Sequence, residues 1–287
     1  MRVLVTGATG FVGRALVRRL VLTGYDPVVV TRGDVADPRA VRWDFGCEPA
    51  PTTLPQQIDA IVHTAQSRNH RAFPADGREM FAVNTASTFA LLDYAATAGA
   101  SRFCLLSSGT VYQPFRNGLD EEAPLRPDTC LGATKLAAEV IATPFSALMP
   151  VAVLRIFSPY GPGQTDRIVP SIIGRVRGEV PVELSADGKG LRLAPIYVDD
   201  LCDIVIESLA RAWNGVFNVA SPRAVTLSDL AEIIGMRLAK RPVFEIGNGT
   251  ALDLVPPVAR LGQLFDLTSL VPLEVGLDRT LAEDSQH

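Results

Sequence analysis

Short apolar runs alternate with helical stretches along the first half of the chain, and this alternation restricts the fold more than any other feature. Runs that are apolar throughout are typical of parallel strands buried on both faces. We expect strands at residues 2–6, 27–31, 60–63, 102–107 and 151–157, and helices at 12–23, 80–98 and 133–142. Repeated strand–helix–strand units predict an α/β fold with a doubly wound parallel sheet, in which ligands bind at the carboxyl ends of the strands.

The pattern loosens after residue 160. Periodicity there predicts helices at residues 168–177, 198–212 and 227–238, and a short strand at 216–219. We find no internal repeat and no low-complexity linker. The organisation of the 287 residues predicts a cofactor-binding domain over residues 1–160 and a small C-terminal substrate-binding subdomain over 161–287, from which the chain returns to the sheet.

Composition excludes several classes of protein. A hydrophobic fraction of 47% and a net charge of −4 exclude disorder, and the scattered Lys and Arg argue against a nucleic-acid partner. No stretch has the roughly 18 apolar residues of a membrane helix, and MRVLVTGATG lacks the apolar region of a secretion signal, so we expect a cytoplasmic protein. Four scattered cysteines and only three histidines predict reduced thiols and no metal site.

The string TGATGFVG (residues 6–13) lies between the first expected strand and the first expected helix, a context that makes it a strong dinucleotide-binding signal. The first glycine allows a tight turn, the second lets the backbone approach a diphosphate, and the third lets the helix pack closely on the strand. The helix N-terminus adds free N–H groups and partial positive charge. We therefore expect a Rossmann-type domain whose loop binds the cofactor through Gly7, Thr9, Gly10, Phe11, Val12 and Gly13.

The end of the second strand bears on which dinucleotide binds. NAD binders usually carry Asp or Glu there for the ribose hydroxyls, whereas this chain has VVVTRG at residues 28–33. Arg32 is positive and can pair with a 2′-phosphate, and no acidic residue competes at that position. NADP(H) is therefore the expected cofactor, with NAD(H) as the alternative.

Further motifs follow in the order found in the extended short-chain dehydrogenase/reductase family, which includes nucleotide-sugar epimerases and dehydratases, and the likeness covers nearly the whole chain. They are WDF (43–45), HTA (63–65), SSGTVY (107–112), GATKLAAE (132–139), YGPG (160–163) and IYVDD (196–200). The chain resembles this family. The resemblance implies further cofactor-binding residues, namely Asp44, Phe45, Thr64, Ala65, Gln66, Asn84, Lys135 and Phe157.

One catalytic position departs from the family. Its chemistry uses a Ser or Thr, a Tyr and a Lys, the last two spaced YxxxK. The resemblance makes Ser108 and Lys135 the catalytic serine and lysine, but the tyrosine position holds Leu131. Leucine can neither donate nor accept a proton, and loss of a positioned acid typically costs about 10²–10⁴ in rate. Hydride transfer remains possible while the usual proton source is absent.

Two other departures concern the substrate. Family members that hold a nucleotide-sugar diphosphate usually have Asn where this chain has Ser158, and Arg where it has Leu193. Arg192 is adjacent, so a one-residue shift would restore a cation. A diphosphate favours paired cationic groups, so these replacements suit a flatter, more hydrophobic ligand.

Three functions remain open. The first is an NAD(P)H-dependent ketoreductase acting on a hydrophobic aromatic polyketide in antibiotic biosynthesis, similar to angucyclinone ketoreductases, with a phenol beside the ketone supplying the proton. The second is a nucleotide-sugar 4-ketoreductase or epimerase with a relocated acid, for which Tyr112, Tyr160 and Cys130 are candidates. The third is a non-catalytic dinucleotide-binding sensor, against which the retention of Ser108 and Lys135 argues.

Overall fold

The structure is a computed structural model that describes residues 1–33, 37, 40–45, 51–67, 69, 72–115 and 118–284. It divides into two compact units. The first comprises Met1–Arg116, Pro124–Arg155 and Cys202–Phe217, and the second comprises Asn117–Ala123, Ile156–Leu201 and Asn218–His287. The division into domains at residue 160, expected from the sequence, stays a prediction.

The secondary structure alternates as expected in the first half. The strands are β1 (Arg2–Thr6), β2 (Asp26–Thr31), β3 (Ala40–Arg42), β4 (Ala60–His63), β5 (Arg102–Ser108), β6 (Val151–Ile156), β7 (Pro159–Tyr160), β8 (Val182–Leu184), β9 (Arg192–Leu193), β10 (Ile196–Tyr197), β11 (Gly215–Val219), β12 (Val225–Thr226), β13 (Phe244–Ile246) and β14 (Asp253–Leu254). The α-helices are α1 (Phe11–Leu22), α2 (Gly77–Met80), α3 (Ser87–Thr97), α4 (Cys130–Ala142), α5 (Ile168–Arg177), α6 (Val198–Ala210), α7 (Leu227–Leu238), α8 (Ala259–Gly262) and α9 (Leu273–Asp284). A π-helix (Phe81–Ala86) joins α2 to α3, and 3₁₀ turns occur at Gly109–Tyr112, Thr143–Ala147 and Leu267–Ser269.

Among the described residues, seven strands form the largest sheet, in the order β11-β6-β5-β4-β1-β2-β3. The pairs β1–β2, β1–β4, β2–β3 and β4–β5 are parallel. The order reverses at β1, and Thr6 is level with both Val30 and His63. The fold is therefore a Rossmann-type doubly wound α/β sheet, whose ligand crevice is expected beyond the carboxyl ends of β1 and β4.

Several elements differ from the sequence prediction, among them β3 and the helix expected over residues 80–98. Strand β3 was not expected, because three residues with one exposed side chain give too little apolar signal. The predicted helix over residues 80–98 is interrupted by the π-helical turn, whose wider hydrogen-bond spacing periodicity alone does not reveal. Most of the other predicted elements lie within a few residues of their predicted bounds.

Each unit has its own hydrophobic core. In the first, Leu4, Ile61 and Phe103 from the sheet pack with Leu91 and Ala138 from the helices. In the second, α5, α7 and α9 enclose a core that includes Tyr160, Leu193, Ile234 and Leu277. Such cores keep the strand ends and the loops that follow them in fixed positions.

No helix in the described part of the chain is long and apolar enough to cross a membrane. Among the described residues, no group of histidine, cysteine and carboxylate side chains has the arrangement of a metal site. Cys104, Cys130 and Cys202 are thiols rather than disulfides, and Cys47 lies outside the described residues.

Candidate functional site

The glycine-rich loop forms a tight cradle between β1 and α1. Gly7 has a φ of +66°, and a Cβ there would lie 2.7 Å from Thr64 Oγ1. A Cβ at Gly13 would lie 2.1 Å from the oxygen of Gly7. A Cβ at Gly10 would meet the oxygen of Gly7 at 3.1 Å and no other described atom within 4 Å. The loop thus needs glycine at both ends and stays open at Gly10.

The open side of this cradle is the N-terminus of α1. Gly10 is the N-cap and provides no side-chain cap, while Phe11 and Val12 begin the helix. The first N–H groups of an α-helix lack intrahelical partners and carry partial positive charge. Thr9 is exposed in the turn just before the cap. Such a helix end suits a diphosphate, and binding of the cofactor through this loop stays a prediction.

The loop after β4 is tied to the end of β1. The hydroxyl of Thr64 donates to the oxygen of Thr6 at 2.6 Å, and the N–H of Ala65 donates to Thr6 Oγ1 at 3.3 Å. Gln66 follows and is half-buried. The predicted residues Thr64, Ala65 and Gln66 therefore lie beside the glycine cradle, at the reversal point of the sheet.

His63 is a neutral structural residue beneath this loop. Thr6 Oγ1 lies 2.7 Å from its Nδ1 and Ser87 Oγ lies 3.0 Å from its Nε2. Because the Ser87 hydroxyl donates to the oxygen of Val83, Nε2 is the donating nitrogen and Nδ1 accepts from Thr6. Burial lowers the pKa of His63 to about 3, and the charge of Lys135 adds to this effect. The imidazole therefore has no role as a base at neutral pH.

Asn84 links the loop after β4 to helix α4. It lies in the π-helix and is buried. Its Oδ1 accepts from the N–H of Ser67 at 3.1 Å, and its Nδ2 donates to Thr134 Oγ1 at 3.1 Å. The amide thus holds two parts of the site together, and its role as a direct cofactor contact stays a prediction.

Arg32, Asp44 and Phe45 lie just beyond the carboxyl ends of β2 and β3. Arg32 is half-exposed, and its Nη1 lies 3.6 Å from Glu79 Oε1. Phe45 packs on Trp43, with ring centroids 4.6 Å apart, and lies edge-on to His63. This edge therefore carries an aromatic surface and an exposed cation, and the preference for NADP(H) stays a prediction.

Ser108 ends β5 and is half-buried. Its Oγ accepts from the N–H of Thr110 at 3.2 Å, which is also the capping bond of the following 3₁₀ turn. Since a hydroxyl has one proton and two acceptor sites, this bond leaves the proton of Ser108 available for donation. The serine can therefore cap the turn and bind a substrate oxygen at the same time.

Lys135 is buried within α4 and points to the end of β5. Its Nζ donates to the oxygen of Leu106 at 3.0 Å, and only 3% of the residue is exposed. Burial lowers the pKa of Lys135 to about 8, and the charge of Glu139 opposes that change. Leu131 lies one turn earlier on the same helix face, four residues before Lys135. Helix α4 thus carries a buried cation one turn after a side chain that has no proton to donate.

A buried polar cluster of Ser107, Tyr112, Glu139 and Arg155 includes a residue one turn after Lys135 on α4, and it was not predicted from the sequence. Arg155 Nη2 lies 2.8 Å from Glu139 Oε2, and both side chains are at most 5% exposed. The hydroxyl of Ser107 also donates to Glu139. Arg155 Nη1 donates to the hydroxyl oxygen of Tyr112 at 2.7 Å. The spacing of Lys135 and Glu139 on α4 would suggest that these two residues pair, so nothing in the sequence indicated the partner on β6.

The three candidate replacement acids have different surroundings. Tyr112 is buried and accepts from Arg155. Tyr160 lies in the core of the second unit, its hydroxyl donates to the oxygen of Leu273, and burial raises its pKa, which makes it a weaker acid. Cys130 is the first residue of α4 and is half-buried. Cys130 is therefore the candidate with the most exposure and Tyr160 the one with the least.

The second unit holds the predicted substrate residues and Phe157. Phe157 is buried, and its N–H donates to the oxygen of Val219 at 3.0 Å. Ser158 has a φ of +43°, the left-handed region in which Asn is more favourable than Ser. Leu193 is fully buried, whereas Arg192 is exposed and pairs with Asp253 at 2.7 Å. Because side chains alternate along β9, Arg192 faces away from Leu193 and does not replace a cation there.

Comparison with known proteins identifies relatives across the whole chain. Residues 3–220 match the NAD dependent epimerase/dehydratase family. A dTDP-glucose 4,6-dehydratase from Streptomyces antibioticus is 30% identical over 90% of this chain and 81% of its own length. A dTDP-4-dehydro-6-deoxyglucose reductase from Escherichia coli is 24% identical over 97% of this chain and 96% of its own. The solved structure of MoeE5 with UDP-glucose and NAD has a TM-score of 0.84 at 26% identity, covering 100% of this chain and 99% of its own.

Proposed function

The chain belongs to the NAD dependent epimerase/dehydratase family, and we propose that within it the chain is a nicotinamide-dependent ketoreductase that works without a tyrosine acid. The observation that supports this proposal is on α4, where buried Lys135 stands at the position that the resemblance gives to the catalytic lysine and Leu131 stands at that of the proton donor. A bound nicotinamide supplies hydride. The protein's part is to orient a carbonyl carbon against it and to stabilise the negative charge that develops on the oxygen.

Ser108 and Lys135 have the properties that this task requires. The hydroxyl proton of Ser108 is available, because its oxygen accepts the turn's capping bond. The ammonium of Lys135 is largely protonated at neutral pH, since its pKa is about 8. Both groups stabilise an alkoxide electrostatically, and neither needs to give up a proton. The proton that completes the alcohol then comes from the substrate, from solvent or from another residue.

The relatives favour a nucleotide-linked keto sugar as the substrate class. One relative is a reductase of a dTDP-4-dehydro sugar, and MoeE5 binds UDP-glucose. On this assignment a residue other than Leu131 donates the proton, and the half-buried thiol of Cys130 is the candidate beside it.

A second substrate class is favoured by the replacements in this chain. Leu131 removes the acid and buried Leu193 removes a diphosphate cation, while Arg192 is already paired with Asp253. A hydrophobic aromatic ketone of the angucyclinone type, with a phenol hydrogen-bonded to its carbonyl, needs neither group. Hydride addition then yields an alcohol and a delocalised phenolate.

The two classes are distinguished by one set of assays with purified protein and NADPH or NADH. The substrates are an aromatic ketone with a neighbouring phenol, the methyl ether of that phenol, and a dTDP-4-keto-6-deoxy sugar. Reduction of the ketone that has a free phenol, but not of its methyl ether, supports a proton supplied by the substrate. Reduction of the keto sugar supports the nucleotide-linked sugars as the substrate class. Cofactor binding without reduction of any ketone would contradict the proposed function and favour a sensor.

A further inference from the structure

Thr110 carries a hydroxyl that is buried and unbonded. Its Oγ1 is shielded from solvent and has no hydrogen-bond partner among the described residues. Buried polar groups are almost always bonded in native proteins, and a group that is not bonded calls for an explanation such as a catalytic role. The location of Thr110, two residues after Ser108, provides such an explanation.

Backbone contacts place Thr110 between Ser108 and the start of α4. Its N–H donates to Ser108 Oγ at 3.2 Å. Its carbonyl oxygen faces Gly132, where a Cβ would approach it to 2.6 Å. Gly132 directly follows Leu131. The unbonded hydroxyl therefore belongs to a residue in contact with both the catalytic serine and the segment that lost the acid.

We propose that the Thr110 hydroxyl is a second hydrogen-bond donor to the substrate's carbonyl oxygen, an inference that rests on the proposed ketone reduction. When hydride adds to the carbonyl carbon, the π electron pair moves onto the oxygen and the nicotinamide becomes oxidised. The resulting alkoxide accepts hydrogen bonds from Ser108 and Thr110. Its proton comes from the substrate's phenol, from solvent or from another residue, so both hydroxyls keep theirs.

A second donor compensates for part of what Leu131 removes. A tyrosine in that position would bond to the same oxygen, and without it Ser108 is left as one neutral donor. Rotation about χ1 moves the Thr110 hydroxyl between staggered positions, so the residue can turn from its buried position toward a ligand. The Thr110 hydroxyl therefore has no partner among the described residues and can donate to the substrate's oxygen once a substrate binds.

The test is Thr110→Val, which replaces the hydroxyl by a methyl group of similar size. We expect kcat for the reduced ketone to fall about 10²-fold with KM nearly unchanged, as for loss of one oxyanion donor. We expect Tm without ligand to stay the same or rise by about 2 °C, because an unbonded buried hydroxyl stabilises nothing. Thr110→Ser keeps the hydroxyl and should retain most of kcat.

A matched control separates this role from a structural one. Thr280 is also buried, and its hydroxyl donates to the oxygen of Gly276 at 2.7 Å, so Thr280→Val should lower Tm and leave kcat nearly unchanged. A normal kcat for Thr110→Val, or a Tm lower than that of the wild type, would overturn the Thr110 inference alone. Failure of the wild type to reduce any ketone would overturn the proposed function and this inference together.

Discussion

Leu131 and Lys135 lie one turn apart on the same face of α4, and of the two only Lys135 can carry a charge. Lys135 is anchored by the oxygen of Leu106. The helix thus presents a buried cation with an apolar side chain one turn before it. The consequences for catalysis, pH dependence, stability and cofactor choice can each be measured.

Restoring the tyrosine is the first prediction. Leu131→Tyr should raise the rate on a ketone that has no phenol of its own, by up to about 10²–10⁴, because it supplies the missing general acid. Leu131→Phe is the matched control, since it adds the ring without the hydroxyl. Steady-state kinetics on the methylated ketone gives the answer, and equal rates for the Tyr and Phe variants would argue against the assignment of position 131.

The second prediction concerns alkaline pH. Lys135 has its pKa lowered to about 8, chiefly by burial. The ammonium therefore loses its proton as pH rises through 8, and kcat/KM should decrease there rather than near 10. Lys135→Met should be slower at every pH and should lack this decrease. A wild-type profile that stays flat up to pH 10 would show that the charge of Lys135 does not contribute.

The third prediction concerns acid stability. The pKa of His63 is about 3 in the folded protein, chiefly because of burial, against 6.5 for the free side chain. The unfolded chain therefore binds more protons between these values, so the free energy of unfolding should decrease as pH falls below 6.5, by at most about 1.4 kcal/mol per pH unit. Urea unfolding at pH 7 and pH 5 measures this slope. His63→Gln should reduce it, and an unchanged slope would assign the acid sensitivity to other groups.

The fourth prediction concerns the cofactor. Arg32 is half-exposed, and the 3.6 Å to Glu79 Oε1 is longer than a hydrogen bond, so its guanidinium can turn to a 2′-phosphate. Arg32→Ala should lower kcat/KM for NADPH about 10- to 100-fold and leave NADH nearly unaffected. The matched control is Arg14→Ala, an exposed arginine on α1, which should leave the ratio as it is. An unchanged NADPH to NADH ratio in Arg32→Ala would contradict the assignment.

The main strands of the fold could be predicted from the sequence, because parallel strands are apolar on both faces. Strands β1, β2, β4, β5 and β6 all have such apolar runs. Strand β3 was not predicted, because three residues are too few to show a hydrophobic pattern. The π-helix was not predicted, because residues 80–98 have the hydrophobic periodicity of an α-helix throughout. Local pattern therefore determined the main sheet and left out its short edge strand.

Residues of the candidate site could be predicted only where they belong to a sequence motif. Gly7, Gly10 and Gly13 have conformations and contacts that require glycine or leave room for a ligand. The pairing of Arg155 with Glu139, and the orientation of Arg192 toward Asp253, depend on which side chains meet across separate elements. The unbonded hydroxyl of Thr110 likewise becomes visible only when every possible partner has a position.

The most direct test of a ketoreductase without a tyrosine acid follows the hydride itself. The cofactor is labelled with deuterium at both hydrogen positions of C4 of the reduced nicotinamide, and the alcohol product of the wild type is analysed by mass spectrometry and NMR. We predict one deuterium at the former carbonyl carbon, at a rate that Leu131→Phe leaves largely unchanged. An alcohol without deuterium, or a rate that depends on the Leu131 side chain as on a catalytic group, would contradict this account.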